Sequence, residues 1–357
     1  MSVRHVVIPI FVPHKGCPFD CIYCNQKTIS GQTEEMTEEK MRQIVDAHLS
    51  SIREGTYVEI GFYGGSFTGI DKEQQLSFLK TANEYIAQNK VKGIRLSTRP
   101  DYINVEILDY LKEHNVNTIE LGVQSLDKEV LEKSCRGHKA DDVLASSALI
   151  KRYGINLGIQ TMIGLPGSTR EKDCLTAQKV VELSPQIVRI YPTLVIRGTY
   201  LEKMYYAGLY TPLRIEEATD LCAELLRLFE DNGINVIRVG LQPTENIREG
   251  SGSDVVAGPV HPAFRQLAQS RVSLKRIEEM IESQNLSGAQ ELIIRTGNSN
   301  VSDVVGQKRS NIRALKDKYG FMAVRVAADP ELSGEIICHA ISSTTTSTVA
   351  SSTGTQQ

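Results

Sequence analysis

Cys17, Cys21 and Cys24 follow a C-x3-C-x2-C spacing within Cys17-Pro18-Phe19-Asp20-Cys21-Ile22-Tyr23-Cys24. Gly16 and Pro18 flank the first cysteine and favour a tight loop, and an apolar run from Val6 to Val12 leads into it. Thiolates are soft ligands that select iron–sulfur clusters, zinc or copper(I). Three of them this close can hold three irons of a [4Fe–4S] cube and leave the fourth iron open. Zinc would want a fourth ligand, for which His14 is the nearby candidate. Reduced thiols of an ordinary core are the third reading.

The remaining cysteines, Cys135, Cys174, Cys222 and Cys338, are scattered. They read as buried thiols, without the paired spacing of a disulfide framework. With 357 residues the chain can bury one large domain and one small one. A formal net charge of −3 excludes nucleic-acid binding by bulk charge but leaves room for a local basic patch. No apolar run reaches membrane-spanning length and no signal peptide is visible, so a cytoplasmic protein with no membrane partner is expected.

Short apolar runs alternate with amphipathic stretches as far as Pro192. Strands are predicted at 5–12, 57–63, 93–97, 118–124, 156–163 and 187–192. Helices are predicted at 38–52, 72–88, 105–113, 140–153 and 170–182. Near-continuous apolar strands bridged by helices of this length imply a parallel sheet with right-handed crossovers. Six such units predict an α/β fold, a partial (β/α)6 TIM-like barrel, whose chemistry lies at the C-terminal ends of the strands. The cysteine loop follows the first strand and so falls on that rim.

Other rim positions carry polar or glycine-rich groups. Gly64, Gly65 and Ser66 follow the second strand, where glycine lets a backbone approach a ligand closely. Ser97 opens Ser97-Thr98-Arg99-Pro100-Asp101, which suits either a ligand or a turn initiated by Pro100. Leu121-Gly122-Val123-Gln124-Ser125 closes the fourth strand, Cys135-Arg136-Gly137-His138 follows, and Gln160 precedes Gly164-Leu165-Pro166-Gly167. His138 is read as orienting its loop rather than transferring protons.

These stretches together resemble the radical S-adenosylmethionine (SAM) superfamily. Gly-Val-Gln-Ser, Arg-Gly-His and Gly-Leu-Pro-Gly, in that order, are similar to the branch holding oxygen-independent coproporphyrinogen dehydrogenases and the Elongator catalytic subunit. The Elongator side fits better, on Ile8-Pro9-Ile10-Phe11-Val12-Pro13-His14, Ser97-Thr98-Arg99-Pro100-Asp101-Tyr102 and Gly258-Pro259-Val260-His261-Pro262-Ala263-Phe264. Gln26 stands where the porphyrin branch carries a further cysteine. The resemblance covers about residues 5–272. It implies a [4Fe–4S] cluster on Cys17, Cys21 and Cys24, with SAM chelating the open iron. It further implies SAM contacts from Tyr23, Gly64, Gly65, Ser66, Ser97, Gln124, Arg136 and Gln160, the last where relatives often carry aspartate. A ferredoxin or flavodoxin-type donor would supply the electron for SAM cleavage.

Residues 246–272 read as a linker and helical extension of a core spanning 1–245. Glu249-Gly250-Ser251-Gly252-Ser253 is expected to be a flexible joint, and Ile234–Leu241 a strand. From 273 to 340 the texture changes. A helix, a strand, a short helix, Gly306-Gln307-Lys308-Arg309, a second helix and a strand resemble a degenerate KH-like α+β module. That resemblance implies RNA contacts from Gly306, Gln307, Lys308, Arg309 and Arg313, although Arg309 replaces the second glycine. Six cations from Lys308 to Arg325 stand against Asp303 and Asp317. Residues 341–357 read as a disordered Ser/Thr-rich tail. The resulting expectation is a radical SAM enzyme modifying an RNA base, with tRNA the first candidate. A radical SAM enzyme acting on a tetrapyrrole and an RNA-binding protein with a regulatory cluster are the alternatives.

Overall fold

The first strand, like the sixth, hides one row of apolar side chains and leaves the other row half-open, whereas the second and fourth are buried on both. In β1 (His5–Val12), Ile8, Ile10 and Val12 are buried, while Val7, Pro9 and Phe11 are only partly covered. The buried row faces the helices, and the half-covered row lines the concave side of the sheet. Alternation of this kind is what a pleated strand imposes on β-branched and aromatic residues.

The computed structural model describes residues 4–12, 21–25, 36–241, 247, 250 and 252–342. The chain divides into two compact units, Met1–Arg265 and Gln266–Gln357. After β1 come α1 (Glu38–Leu49), β2 (Tyr57–Gly64), α2 (Lys72–Ala87), β3 (Gly93–Thr98), α3 (Val105–Glu113) and β4 (Val116–Gln124). Next are α4 (Lys128–Lys133), α5 (Ala140–Arg152), β5 (Asn156–Ile163), α6 (Arg170–Glu182) and β6 (Ile187–Pro192). The helix starts are chemically specified: Thr37, Asp71, Asn104, Asp127 and Thr169 each accept a first-turn backbone N–H through a side-chain oxygen. Each such cap contributes about 1 kcal/mol.

The strands pair in parallel to form a half-barrel ordered β1-β2-β3-β4-β5-β6-β8. The expected partial barrel is therefore present, with one strand more than the six units predicted. That strand is β8 (Asn235–Val239), the core of the predicted run 234–241, and it pairs with β6. It is brought there by α8 (Ile215–Asp231), whose Leu221, Cys222, Leu225, Leu226 and Phe229 are buried. Between β6 and α8 lie β7 (Val195–Ile196) and α7 (Tyr200–Tyr206); β9 (Val255–Ala257) then pairs antiparallel with β7.

The helical extension expected before 272 and the first helix expected after 273 form one helix, α9 (Phe264–Ser283). The second unit continues with β10 (Glu291–Thr296), α10 (Val301–Val305), α11 (Ser310–Tyr319), β11 (Ala323–Ala328) and β12 (Ile336–Ile341). Its mixed sheet has the order β11-β10-β12, with β11 parallel and β12 antiparallel to β10. Ile277, Ile281, Leu292, Ile294, Val304, Ile312, Leu315 and Val324 form its core. β12 was not foreseen; Cys338 is buried in this core and draws the strand into the sheet. Residues 343–357 of the predicted tail, and Glu249 and Ser251 of the joint at 249–253, lie outside the described residues.

Candidate active site

Cys21 and Cys24 face the C-terminal ends of the strands within one tight turn, in which the Cys24 N–H donates to the Cys21 carbonyl at 2.9 Å. Cys17, Gly16, Pro18, His14 and Gln26 lie outside the described residues. The turn is gripped through its backbone. The Ile22 N–H donates to Ser134 O at 3.4 Å, and Ile22 O accepts from Leu201 N–H at 2.8 Å. Asn25 Nδ2 adds a bond to Arg197 O at 3.0 Å. Ile22 itself is buried against Val195, Leu201 and Tyr210. Burial drives the Tyr23 phenol well above its ordinary pKa against the opposing pull of Arg136, and the Cys21 and Cys24 sulfurs add to the rise.

Arg136 reaches this turn from α4 and the strap that follows it, an element the sequence reading left unassigned. Arg136 Nη1 lies 3.3 Å from Cys21 Sγ, and Nη2 donates to Gly122 O. The side chain is buried. A Cβ at Gly122 would stand 2.8 Å from Arg136 Nη2 and 3.1 Å from Gln124 Nε2, so glycine keeps that passage open. Cys135, expected to be buried, is exposed. It takes φ 50° at the end of the strap, between the buried Ser134 and Arg136, and so turns outward.

Gln124 sits beyond a register shift in the pairing of β4 with β5, with φ 67°. A left-handed conformation at a strand end re-aims a side chain. Its Oε1 is buried without a hydrogen-bond partner among the described residues. A buried carbonyl oxygen left over in this way calls for a donor. His138 is also buried, and its pKa is pushed down to about 3 by desolvation, then by Arg136 and Arg99. It is therefore a neutral imidazole at physiological pH.

Rim groups on β2 and β3 pack closely into the scaffold. Gly64 has φ 105°, and a Cβ there would meet Val12 O at 2.9 Å, so β1 and β2 approach closely because of it. Gly65 follows, half-buried. Ser66 is buried: its Oγ lies 2.8 Å from Thr98 Oγ1 and accepts from Arg99 N–H at 3.0 Å. Arg99 forms a two-pronged pair with Asp101, both contacts at 2.9 Å, so the turn reading fits this stretch. Ser97 is half-buried, its Oγ 3.4 Å from Phe62 O.

The concave face holds a charged network that the sequence reading missed. Glu120, 1% exposed, lies 2.6 Å from Arg189 Nε, 3.6 Å from Arg95 Nη1 and 3.3 Å from Tyr63 Oη. Gln160 Nε2 reaches the same carboxylate at 3.4 Å. Arg95 also pairs with Glu59, to which His5 Nε2 comes within 2.7 Å. The signal was present: Glu59, Arg95, Glu120 and Arg189 are single charges inside apolar strand runs, and charges buried there must pair.

In the second unit, α10 and α11 are joined by Gly306-Gln307-Lys308-Arg309. Gly306, Lys308 and Arg309 all have positive φ (75°, 51° and 61°). A Cβ at Gly306 would come within 2.4 Å of Ser310 Oγ and 2.9 Å of Asn311 N. Asn311, another residue the sequence reading passed over, is buried and donates to Ser270 O, Asp303 O and Val304 O. Lys308, Arg309 and Arg313 are exposed and have no carboxylate partner among the described residues. The rest of the basic count is engaged internally: Lys318 with Glu278, Arg325 with Glu291, and Lys316 with Met322 O.

Comparison with known proteins agrees with this geometry. Residues 11–178 match the radical SAM superfamily, and residues 185–276 match the Radical_SAM C-terminal domain. A tRNA uridine(34) acetyltransferase of Dehalococcoides mccartyi is 30% identical over 263 residues, which is 62% of this chain and 56% of the relative. Elongator complex protein 3 of Saccharomyces cerevisiae is 31% identical over 192 residues, 48% of this chain and 34% of the relative. The chain thus spans between a third and somewhat over half of the length of these curated relatives. Among solved structures, the archaeal Methanocaldococcus infernus Elp3 with an N-terminal deletion has the same fold. The TM-score is 0.54 at 22% identity, over 80% of this chain and 64% of that one. The half-barrel, the cysteine turn on its rim and the two matched domains identify this chain as a member of the radical SAM superfamily of enzymes.

Proposed function

We propose that this protein uses a [4Fe–4S] cluster and SAM to modify a base in RNA, with tRNA the first candidate. The residues on the rim fit both groups. Cys21 and Cys24 share one turn, and Arg136 sets a permanent positive charge against the Cys21 sulfur, which offsets the charge of a thiolate ligand. Gln124 Oε1 offers a buried acceptor with no donor among the described residues, the group a bound cofactor would satisfy. What the cluster supplies when bound and reduced is one-electron cleavage of SAM; the protein's own contribution is position and exclusion of water. Ile22, Val195, Leu201 and Tyr210 close an apolar wall behind the turn. Neutral His138 takes no part in this scheme as an acid. A low-potential donor of the ferredoxin or flavodoxin class completes the scheme.

The observation carrying the RNA part is the turn at Gly306–Arg309. A helix–turn–helix with three positive-φ residues and three exposed cations, without a carboxylate partner among the described residues, resembles the phosphate-gripping turn of a KH module. The names of the curated relatives, tRNA uridine(34) acetyltransferases among them, point to the same substrate class. The test is mass spectrometry of nucleosides from tRNA and rRNA of a deletion strain, followed by restoration with the parent and with Cys21→Ala. Loss of one modified nucleoside, restored only by the parent, supports the proposal. An unchanged nucleoside profile overturns the RNA assignment.

A further inference from the structure

A cavity of about 200 Å³ opens where β6 and β8 end, on the same rim as the cysteine turn. Its walls include Pro192, Leu194, Leu241, Val260 and Phe264, with His261 as the one ionisable side chain among the described residues. The chain is shaped to keep it. Gly240 takes φ 80°, and a Cβ there would press on the Phe264 ring at 3.1 Å. The volume is below the 300–1,000 Å³ of sites for drug-sized ligands, so a single ring system is the natural occupant.

The polar element is equally specific. The Ala263 N–H donates to His261 Nδ1 at 3.0 Å. An imidazole accepting at Nδ1 in its neutral form carries its proton on Nε2, which makes Nε2–H a donor. A flat ring bearing a carbonyl acceptor answers both features, whereas a wholly apolar ligand leaves the donor idle.

The cavity and the cysteine turn flank the same two-stranded ribbon. Val195 of β7 packs on Ile22, between Cys21 and Tyr23, while its neighbours Leu194 and Ile196 pack on Ile247, which lines the cavity. Successive residues of a strand point to opposite faces. One face of the ribbon therefore supports the cysteine turn, and the other walls the cavity.

We propose that this cavity takes one unpaired pyrimidine base of the RNA substrate, stacked on Phe264 and the prolines, with His261 Nε2–H donating to a ring carbonyl. The inference rests on the RNA reading above and deepens it. Its test is equilibrium binding of an RNA hairpin to the full chain, with each loop nucleotide replaced in turn by an abasic residue. One pyrimidine position is expected to cost about tenfold in affinity when its base is removed, in line with a stacked base. Val260→Phe, which fills the cavity, should weaken the intact hairpin by a similar factor and leave the abasic hairpin unaffected. His261→Asn keeps an acceptor for Ala263 N–H and removes the Nε2 donor, so it should weaken the intact hairpin alone. Tight binding with no such coupling would overturn the cavity's role and leave the RNA reading standing. Absence of hairpin binding by the parent would overturn both.

Discussion

Glu120 on β4 and Arg189 on β6 meet across the concave face, Oε2 to Nε at 2.6 Å, with β5 running between them. Gly158 of β5 allows the contact, since a Cβ there would lie 2.8 Å from Glu120 Cγ. Replacing Glu120 by alanine leaves Arg189 and Arg95 buried with less compensation, which costs about 3–5 kcal/mol. Gly158→Ala should cost about 1–3 kcal/mol through overpacking alone. Urea unfolding followed by circular dichroism measures both. Parent-like stability of Glu120→Ala would mean that the network is dispensable to the fold.

Arg136 and Gln124 are expected to act on SAM. Arg136→Ala should weaken SAM binding to the anaerobically reconstituted protein by about 1.5–3 kcal/mol, the range for a hydrogen bond to a charged group. Gln124→Ala should weaken it too, by less. Isothermal titration gives the affinities, and unaltered values in both variants would place the cofactor elsewhere.

Two buried groups make stability depend on pH with opposite signs. His138 has a folded pKa lowered to about 3 by burial and by the neighbouring arginines, so it favours the folded state above the unfolded histidine pKa, and that contribution fades as pH falls towards 3. Asp173 is pushed up to about 6 by burial, against hydrogen bonds from Ser168 and Gly164 N–H. Its contribution is full at acid pH and fades as pH rises through 6. Between pH 4 and 6 the two oppose each other. His138→Asn should lower the slope of stability against pH by up to about 1.4 kcal/mol per unit there, and Asp173→Asn should raise it. Matching slopes in parent and variants would refute the assignment.

The turn at Gly306–Arg309 separates fold from binding. Gly306→Ala should destabilise the second unit, because φ 75° and the crowding by Ser310 and Asn311 both oppose a side chain. Lys308→Glu with Arg309→Glu should leave stability alone and reduce the salt dependence of RNA binding by about two phosphate contacts. An RNA salt slope identical to the parent's would make the turn scaffolding.

Much of this was legible in the sequence because it rests on local chemistry. β1, β5, β6, α3 and α6 end where hydrophobic period and capping residues say they should. The cysteine spacing and Arg136 were visible for the same reason. Glu120, Arg189 and Asn311 escaped because their roles exist only across strands or helices distant in sequence. α4 was missed because a six-residue helix carries too little periodicity to read. β12 was missed because the polar stretch after it hid a short strand whose inward face, Ile336, Cys338 and Ala340, carries one fully buried side chain.

The backbone grip on the cysteine turn sets an order of events during synthesis. Cys21 and Cys24 leave the ribosome well before Ser134, Arg136 and Leu201, the residues that hold their turn in place. At roughly 5–20 residues per second, about ten to forty seconds separate the thiols from their last tether. Metal delivered to the nascent chain would meet an unfastened loop. On the proposed function, a cluster would be fastened only after most of the barrel has been made.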